Sequence, residues 1–210
     1  AFNNCQNLQN VKIPEKSELQ IIGQGAFNYS TIESISIASH VSEICEDAFS
    51  MCFKLKKVEI PFDSELKIIG NGSFYQTLIN YIFIPKSVTI IKKEAFSCCK
   101  KLANVKIQDN SQLNTIENNA FSHSSLKSID LPNQISQIDD EAFMFCKYLN
   151  KIGISKNTKI KTIGKKAFAS CSIESISIPP HIVCFDSKIF EKCNHLLIIE
   201  IPENTELKFI

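Results

Sequence analysis

The residues of this chain with the widest chemical reach are its nine cysteines, at positions 5, 45, 52, 98, 99, 146, 171, 184 and 193. A thiolate binds zinc, attacks a carbonyl or closes a disulfide, and each task needs a particular spacing. No C-x-x-C occurs, so neither a zinc site nor a thioredoxin-like redox pair is supported. The odd count leaves at least one thiol without an intrachain partner. Cys5, Cys52, Cys99, Cys146 and Cys193 recur every 47 residues. That regularity marks a packing position rather than a reactive centre.

The other chemistry-bearing residues are explained the same way. Gly23-x-Gly25 and Gly70-x-Gly72 resemble a phosphate cradle, but they also lie 47 residues apart, each just before a marker phenylalanine, and read as turn geometry. His40 and His181 each fall three residues after a predicted strand and are separated by 141 residues, three times the same period, so they mark a loop register and not a metal site. No Ser/His/Asp or Cys/His set stands apart from the repeat. The expectation is therefore a chain that is not an enzyme and needs no cofactor and no metal. Two sequons, Asn28-Tyr29-Ser30 and Asn71-Gly72-Ser73, make Asn28 and Asn71 glycosylation candidates in a secreted eukaryotic protein, although Ser30 also occupies a ladder position.

The element that positions all of these is a repeat, seen clearly in Val88 to Ile107, VTIIKKEAFSCCKKLANVKI. An apolar pair three apart, Val88 and Ile91, precedes Ala95-Phe96, a small residue at Cys99, and an extended L-x-x-V-x-I segment, Leu102, Val105 and Ile107. The marker Phe recurs at 2, 27, 49, 74, 96, 121, 143, 168 and 190, at intervals alternating between 25 and 22. Self-similarity at a fixed period signals a solenoid, here one grown by duplicating a pair of coils. The chain reads as one repeat domain over residues 1–210, about nine coils of alternating 25 and 22 residues. It opens on Ala1-Phe2 in mid-repeat and closes on Leu207 and Ile210, the opening pair of another copy. No polar cap is visible at either end, so a fragment of a longer chain is expected.

The L-x-x-V-x-I segments alternate apolar and polar residues, as strands with one buried face do. Nine of them predict a parallel sheet. The proline that follows many, such as Pro61, Pro85 and Pro132, lacks an N–H and turns the chain out of it. The apolar pairs, from Leu19-Ile22 to Ile182-Phe185, predict a shorter second sheet opposite, and Ala-Phe-x-x-Cys predicts a single helical turn pointing Phe and Cys inward. In the longer coils the link between the two sheets reads as a polar loop, Glu15-Lys16-Ser17-Glu18 or Phe62-Asp63-Ser64-Glu65. Equivalent cysteines two coils apart would stand roughly 9 to 10 Å apart at the strand spacing, beyond the ~7 Å Cα limit of a disulfide. Six cysteines, counting Cys171, thus predict a buried ladder of small residues, and only Cys146, Cys171 and Cys193 occupy consecutive coils. Of the vicinal Cys98 and Cys99, the second is the inward one.

Composition sets limits on partners. At 44% apolar and 21% charged the chain is ordinary for a soluble domain. Net charge is +1, all 23 basic residues are Lys, and Arg and Trp are absent, which weighs against nucleic acid. The longest apolar stretch is about six residues, Leu196 to Ile201 with Glu200 inside it, against the ~20 that cross a bilayer, so no membrane insertion is expected within this segment.

L-x-x-V-x-I-P, V-x-x-I and A-F-x-x-C together resemble the BspA-like leucine-rich repeats, the type also named for Treponema pallidum, over essentially all 210 residues. The resemblance implies an α/β repeat solenoid: a right-handed, strand-dominated superhelix with a parallel sheet on the concave side, and short strands and single helical turns on the other. It also implies a surface protein of mucosal bacteria or parasitic protists that binds host cells or matrix proteins, located at the cell surface or secreted. The Ile-, Lys- and Asn-rich composition suits an AT-rich protist genome. The alternative is a cytoplasmic or structural scaffold repeat that binds another subunit. Oligomeric state and ligand are not legible.

Fold transfers by such likeness better than ligand does, so a binding site must come from residues that break the repeat. Side chains flanking the buried V of each strand face outward and are mostly small or polar. Tyr81 and Phe83 are the exception, two aromatics bordered by Lys57, Glu59, Asn104 and Lys106, and interface hot spots favour aromatics ringed by polar groups. Two alternatives stand at this point: a protein-binding patch, or aromatics that pack under a neighbouring segment.

Overall fold

A β-rich segment with apolar residues at every second position is stable only when one face is covered. A single coil has nothing to cover it with, so successive coils must stack. In a computed structural model that describes residues 1–14 and 16–208, each L-x-x-V-x-I copy after the first forms a short strand, and each apolar pair from Leu19-Ile22 to Ile182-Phe185 forms another opposite. Glu15 of the first polar loop and Ile210 of the closing pair lie outside the described residues.

Numbered along the chain, the odd strands are β1 (Ile21–Ile22), β3 (Glu43–Ile44), β5 (Ile68–Ile69), β7 (Ile90–Ile91), β9 (Thr115–Ile116), β11 (Gln137–Ile138), β13 (Thr162–Ile163) and β15 (Cys184–Phe185). They form one unbroken parallel sheet of eight strands in sequence order. The even strands form the opposite wall: β2 (Ser34–Ser36), β4 (Lys57–Glu59), β6 (Tyr81–Ile84), β8 (Asn104–Ile107), β10 (Ser128–Leu131), β12 (Lys151–Ile154), β14 (Ser175–Ser177) and β16 (Ile198–Glu200). That wall is not one continuous ladder. The steps β2–β4, β6–β8, β10–β12 and β14–β16 are paired along their length, β8–β10 meet at a single residue pair, and β4–β6 and β12–β14 are not paired. Each loose step follows a coil with the longer turn before its strand. The 47-residue period is thus written into the hydrogen bonding as pairs of coils.

The Ala-Phe-x-x-Cys segment is not a helical turn, and among the described residues there is no helix. The backbone two residues before and two after each marker Phe from Phe27 to Phe190 is left-handed, for example Glu94 (φ 57°) and Cys98 (φ 58°) around Phe96, and this stops helical propagation. The N–H groups that a helix would turn back on itself reach the next coil instead. Glu94, Phe96 and Cys98 donate to the carbonyls of Asn118, Ala120 and Ser122 at 3.0, 2.7 and 2.8 Å. The same triplet recurs around Phe27, Phe49, Phe74, Phe121, Phe143 and Phe168, so the turns stack into a third ladder.

The core lies between these three walls. Marker rings stack near-parallel, with centroids 5.2–5.4 Å apart from Phe2 to Phe168 and 6.0 Å at Phe190. Phe49 through Phe168 are fully buried, whereas Phe2, at the end of the stack, is 48% exposed. The prolines act as expected, each opening a turn in which its carbonyl accepts an N–H three residues on, as Pro61 does from Ser64 and Pro85 from Val88.

Candidate functional site

The outward aromatics belong to β6, one coil beyond a loose step. Tyr81 and Phe83 pair in register with Asn104 and Lys106 of β8 on one side. On the other side β4 is unpaired with β6, and a groove of about 710 Å³ opens there, lined by Lys57, Glu59, Phe62, Tyr81 and Phe83. Pro61 ends β4's pairing and swings the chain back, which lays the Phe62 ring against Phe83, centroids 6.1 Å apart and 17° from parallel. Phe62 is 72% exposed, Tyr81 45% exposed, and Phe83 half-buried. Tyr81 is thus open to solvent, while Phe83 is backed by a neighbouring segment that is itself open.

The polar frame is ordered on one side. Lys57 Nζ lies 2.5 Å from Glu59 Oε1, and Ser36 Oγ donates to Glu59 Oε2 at 2.6 Å. The hydrogen bond from Lys57, followed by that from Ser36, holds the Glu59 carboxyl below its ordinary range. Lys106 lies beyond the Phe62–Phe83 wall, lining a smaller hollow of about 260 Å³, and Asn104 is exposed opposite Tyr81. Of the six residues singled out in the sequence, four line the groove, one its neighbour, and Asn104 neither. Phe62 was placed in a polar loop and missed. Its signal was there: the residue after the strand-ending proline is Lys86, Asn133, Pro180 or Glu203 in other coils, and apolar aromatic only at Phe62.

The cysteine ladder is resolved as one. Cys52, Cys99, Cys146 and Cys171 are buried, Cys5 and Cys193 half-buried, and all nine cysteines are free. Five of the six inward thiols donate to the marker carbonyl of the preceding coil: Cys52 to Phe27 at 3.0 Å, Cys99 to Phe74 at 3.0 Å, Cys146 to Phe121 at 3.1 Å, Cys171 to Phe143 at 3.2 Å and Cys193 to Phe168 at 3.0 Å. Ser30, Thr77 and Ser124 fill the intervening coils 3.3–3.4 Å from the next sulfur. Burial pushes the Cys99 thiol up to about 12 and raises Cys52 as well. The hydrogen bond with Cys146, then burial, hold Cys171 protonated. Cys52, Cys99 and Cys171 are thus not poised for chemistry.

His40 and His181 sit in repeat-equivalent pairs, Nδ1 to Glu65 Oε1 at 3.2 Å and to Glu206 Oε1 at 3.1 Å, all four side chains exposed. Among the described residues, no group of three His, Cys, Asp or Glu converges. In the sequons, Asn28 and Asn71 are half-buried and Ser30 and Ser73 buried, with Ser30 engaged by Cys52. No described helix is long and apolar enough to cross a membrane.

A leucine-rich repeat protein from Bacteroides ovatus ATCC 8483 superposes at TM-score 0.79 and 27% identity, over 100% of this chain and 64% of that one. The pneumococcal vaccine antigen PcpA matches at TM-score 0.60 and 26% identity, over 66% of this chain and 36% of that chain. A leucine rich cell surface protein from Faecalibacterium prausnitzii A2-165 shares the fold at TM-score 0.50 and 24% identity, over 100% of this chain and 74% of the other. The chain thus spans less than two thirds of the length of the first two. No curated protein sequence matches it. The BspA type leucine rich repeat region matches residues 1–103 and 114–208 in 6 copies, and the chain belongs to the BspA-type leucine-rich repeat family.

Proposed function

We propose that this chain is a non-enzymatic protein-binding solenoid, an adhesin-like module of a cell-surface or secreted protein that contacts host or matrix proteins. The observation that carries this reading is the aromatic groove at the β4–β6 step, where Tyr81, Phe62 and the edge of Phe83 stand open among Lys57 and Glu59. Leucine-rich repeats are a protein-interaction scaffold, and structurally similar proteins bear the names vaccine antigen and cell surface protein, which supports the location.

Exposed aromatics framed by polar side chains are the form a hot spot takes before its partner arrives. Tyr81→Ala with Phe83→Ala is expected to weaken a partner captured from host-matrix extract about thirtyfold or more, by the tenfold-per-1.4 kcal/mol rule. Melting should change little, because inward Ile82 and Ile84 carry the strand's packing. Ser175→Ala with Ser177→Ala, on the equivalent outward positions of β14, should leave both unchanged. Unaltered affinity in a folded double variant would remove this site.

A second reading, an intracellular scaffold repeat binding another subunit, is favoured by the nine free thiols, since cysteines stay reduced in the cytosol. A leader or anchor in the flanking sequence of the full-length gene separates the two.

A further inference from the structure

Charge is segregated in this chain despite a net of +1. From two residues after each marker Phe to the first outward strand residue, the five central coils comprise residues 51–57, 76–81, 98–104, 123–128 and 145–151. These segments hold eight lysines and no carboxylate, so the remainder of the chain is net acidic. All eight are exposed. Lys56 pairs with Glu33 at 3.9 Å and Lys57 with Glu59, leaving Lys54, Lys100, Lys101, Lys127, Lys147 and Lys151 without an ion pair among the described residues.

This edge is built regularly. The longer coils carry one extra residue between the inward cysteine and the strand, giving the dipeptides Phe53-Lys54, Lys100-Lys101 and Lys147-Tyr148 at equivalent places. The backbone under them is pinned to the following coil, where Ser125 Oγ donates to the Lys100 carbonyl at 2.7 Å and Ser172 Oγ to that of Lys147 at 2.6 Å. Equivalent dipeptides are two coils and so about 10 Å apart, twice the 5.2–5.3 Å ring step. Phe53 and Tyr148, at the two ends of the row, are 53% and 63% exposed.

We propose that this edge binds a linear anionic polysaccharide, one bearing sulfate or uronate groups. A row of cations recurring from coil to coil along one edge matches a polymer whose anions recur along its length. Lysine ammonium groups meet such anions as point charges and need no bidentate geometry, and arginine, the residue suited to phosphate and base readout, is absent. The aromatic faces at either end suit the apolar face of a sugar ring. A single-stranded nucleic acid would instead need stacking platforms in unbroken succession, whereas the aromatics of this edge fall as two separate pairs, Tyr29 with Phe53 and His123 with Phe145, and Tyr148. The edge meets the groove at Lys57 and Tyr81, but Lys100, Lys101 and Lys147 line no part of the groove, so a test on them stands or falls apart from the proposed protein contact.

The test is binding of heparin, with uncharged dextran, single-stranded DNA and phosphatidylserine vesicles as comparison ligands. Heparin should bind and dextran should not, with affinity falling as salt rises and shortens the screening length. Lys100→Gln, Lys101→Gln and Lys147→Gln together should weaken heparin at least about tenfold, the scale of losing three cations from one field. The same three changed to Arg should keep it, which separates charge from any effect on folding. Lys92→Gln, Lys93→Gln and Lys165→Gln, a charge-matched set before the marker Phe, should alter it less than twofold. Equal weakening by both glutamine sets, no heparin binding at low salt, or equal or tighter binding of DNA or vesicles would each overturn the proposal.

Discussion

A thiol buried in an apolar core is a weak donor in need of an acceptor, and the stacked turns supply one in each marker Phe carbonyl. The spacing of 47 residues was enough to read the cysteines as an inward ladder, because only packing repeats that strictly. Their acceptor was not legible, since it depends on left-handed residues that leave the Phe carbonyl facing the next coil. The arrangement has an alkaline signature. The Cys99 thiol is pushed from 9.0 to about 12 in the folded chain, so the native state keeps a proton that the unfolded chain gives up. Its contribution is whole below about pH 9 and is lost as pH climbs towards 12, at about 1.4 kcal/mol per pH unit. Cys99→Ser puts into this coil the residue type found at Ser30 and Ser124. The stability advantage of wild type over Cys99→Ser, measured by urea unfolding, should therefore shrink between pH 9 and 11, other alkaline groups cancelling in the difference. Parallel curves would show that Cys99 is not held protonated.

At the scale of the element, two glycines at one repeat position make opposite demands. A Cβ on Gly70 would stand 2.6 Å from the Ile44 carbonyl oxygen and 2.7 Å from the Cys45 carbonyl carbon, while one on Gly23 meets nothing within 4 Å. Gly70→Ala should thus cost on the order of 1–3 kcal/mol by forcing two coils apart. Gly23→Ala should be neutral or stabilise by about 0.4–1 kcal/mol through the unfolded state. Thermal melts of the two variants decide it, and equal effects would mean the coil spacing is softer than drawn. The glycines two residues on tell a different story: Gly25 and Gly72 have positive φ, but Asp47, Glu94, Asn119 and Glu141 adopt the same conformation at equivalent places. Turn geometry was the right reading of both pairs, for close approach at one position and handedness at the other. What misled the sequence reading was Ala-Phe-x-x-Cys itself. Its residues favour a helical turn locally, and hydrogen bonds to the next coil, invisible in any single repeat, override that preference. Phe62 was hidden for a related reason: a loop register says where a residue falls along the coil and not which strand its ring will cover.

For the molecule as a whole, stability is carried coil to coil, because the stacked marker rings, the thiols from Cys52 to Cys193 on the ladder and the turn N–H groups find their partners in an adjacent coil or their own. Position along the stack should therefore matter more than residue type. Phe96 is fully buried between Phe74 and Phe121 at 5.3 and 5.2 Å, whereas Phe2 stacks on Phe27 on one side and is 48% exposed. Phe96→Ala should cost about 3–5 kcal/mol, the loss of a buried ring plus the void it leaves. Phe2→Ala should cost less than half of that, since little of its surface is withdrawn from water. The central change should do more than lower the midpoint. With nearest-neighbour coupling, a weakened interface divides the array into two halves that unfold semi-independently, so the urea transition should broaden as well as shift. Residual secondary structure followed by circular dichroism, together with protection of amides on either side of Phe96, measures this directly. A sharp transition in Phe96→Ala, displaced without broadening, would show that cooperativity runs the length of the solenoid through the unbroken eight-stranded sheet, and that the pairs of coils in the opposite wall do not act as separate units.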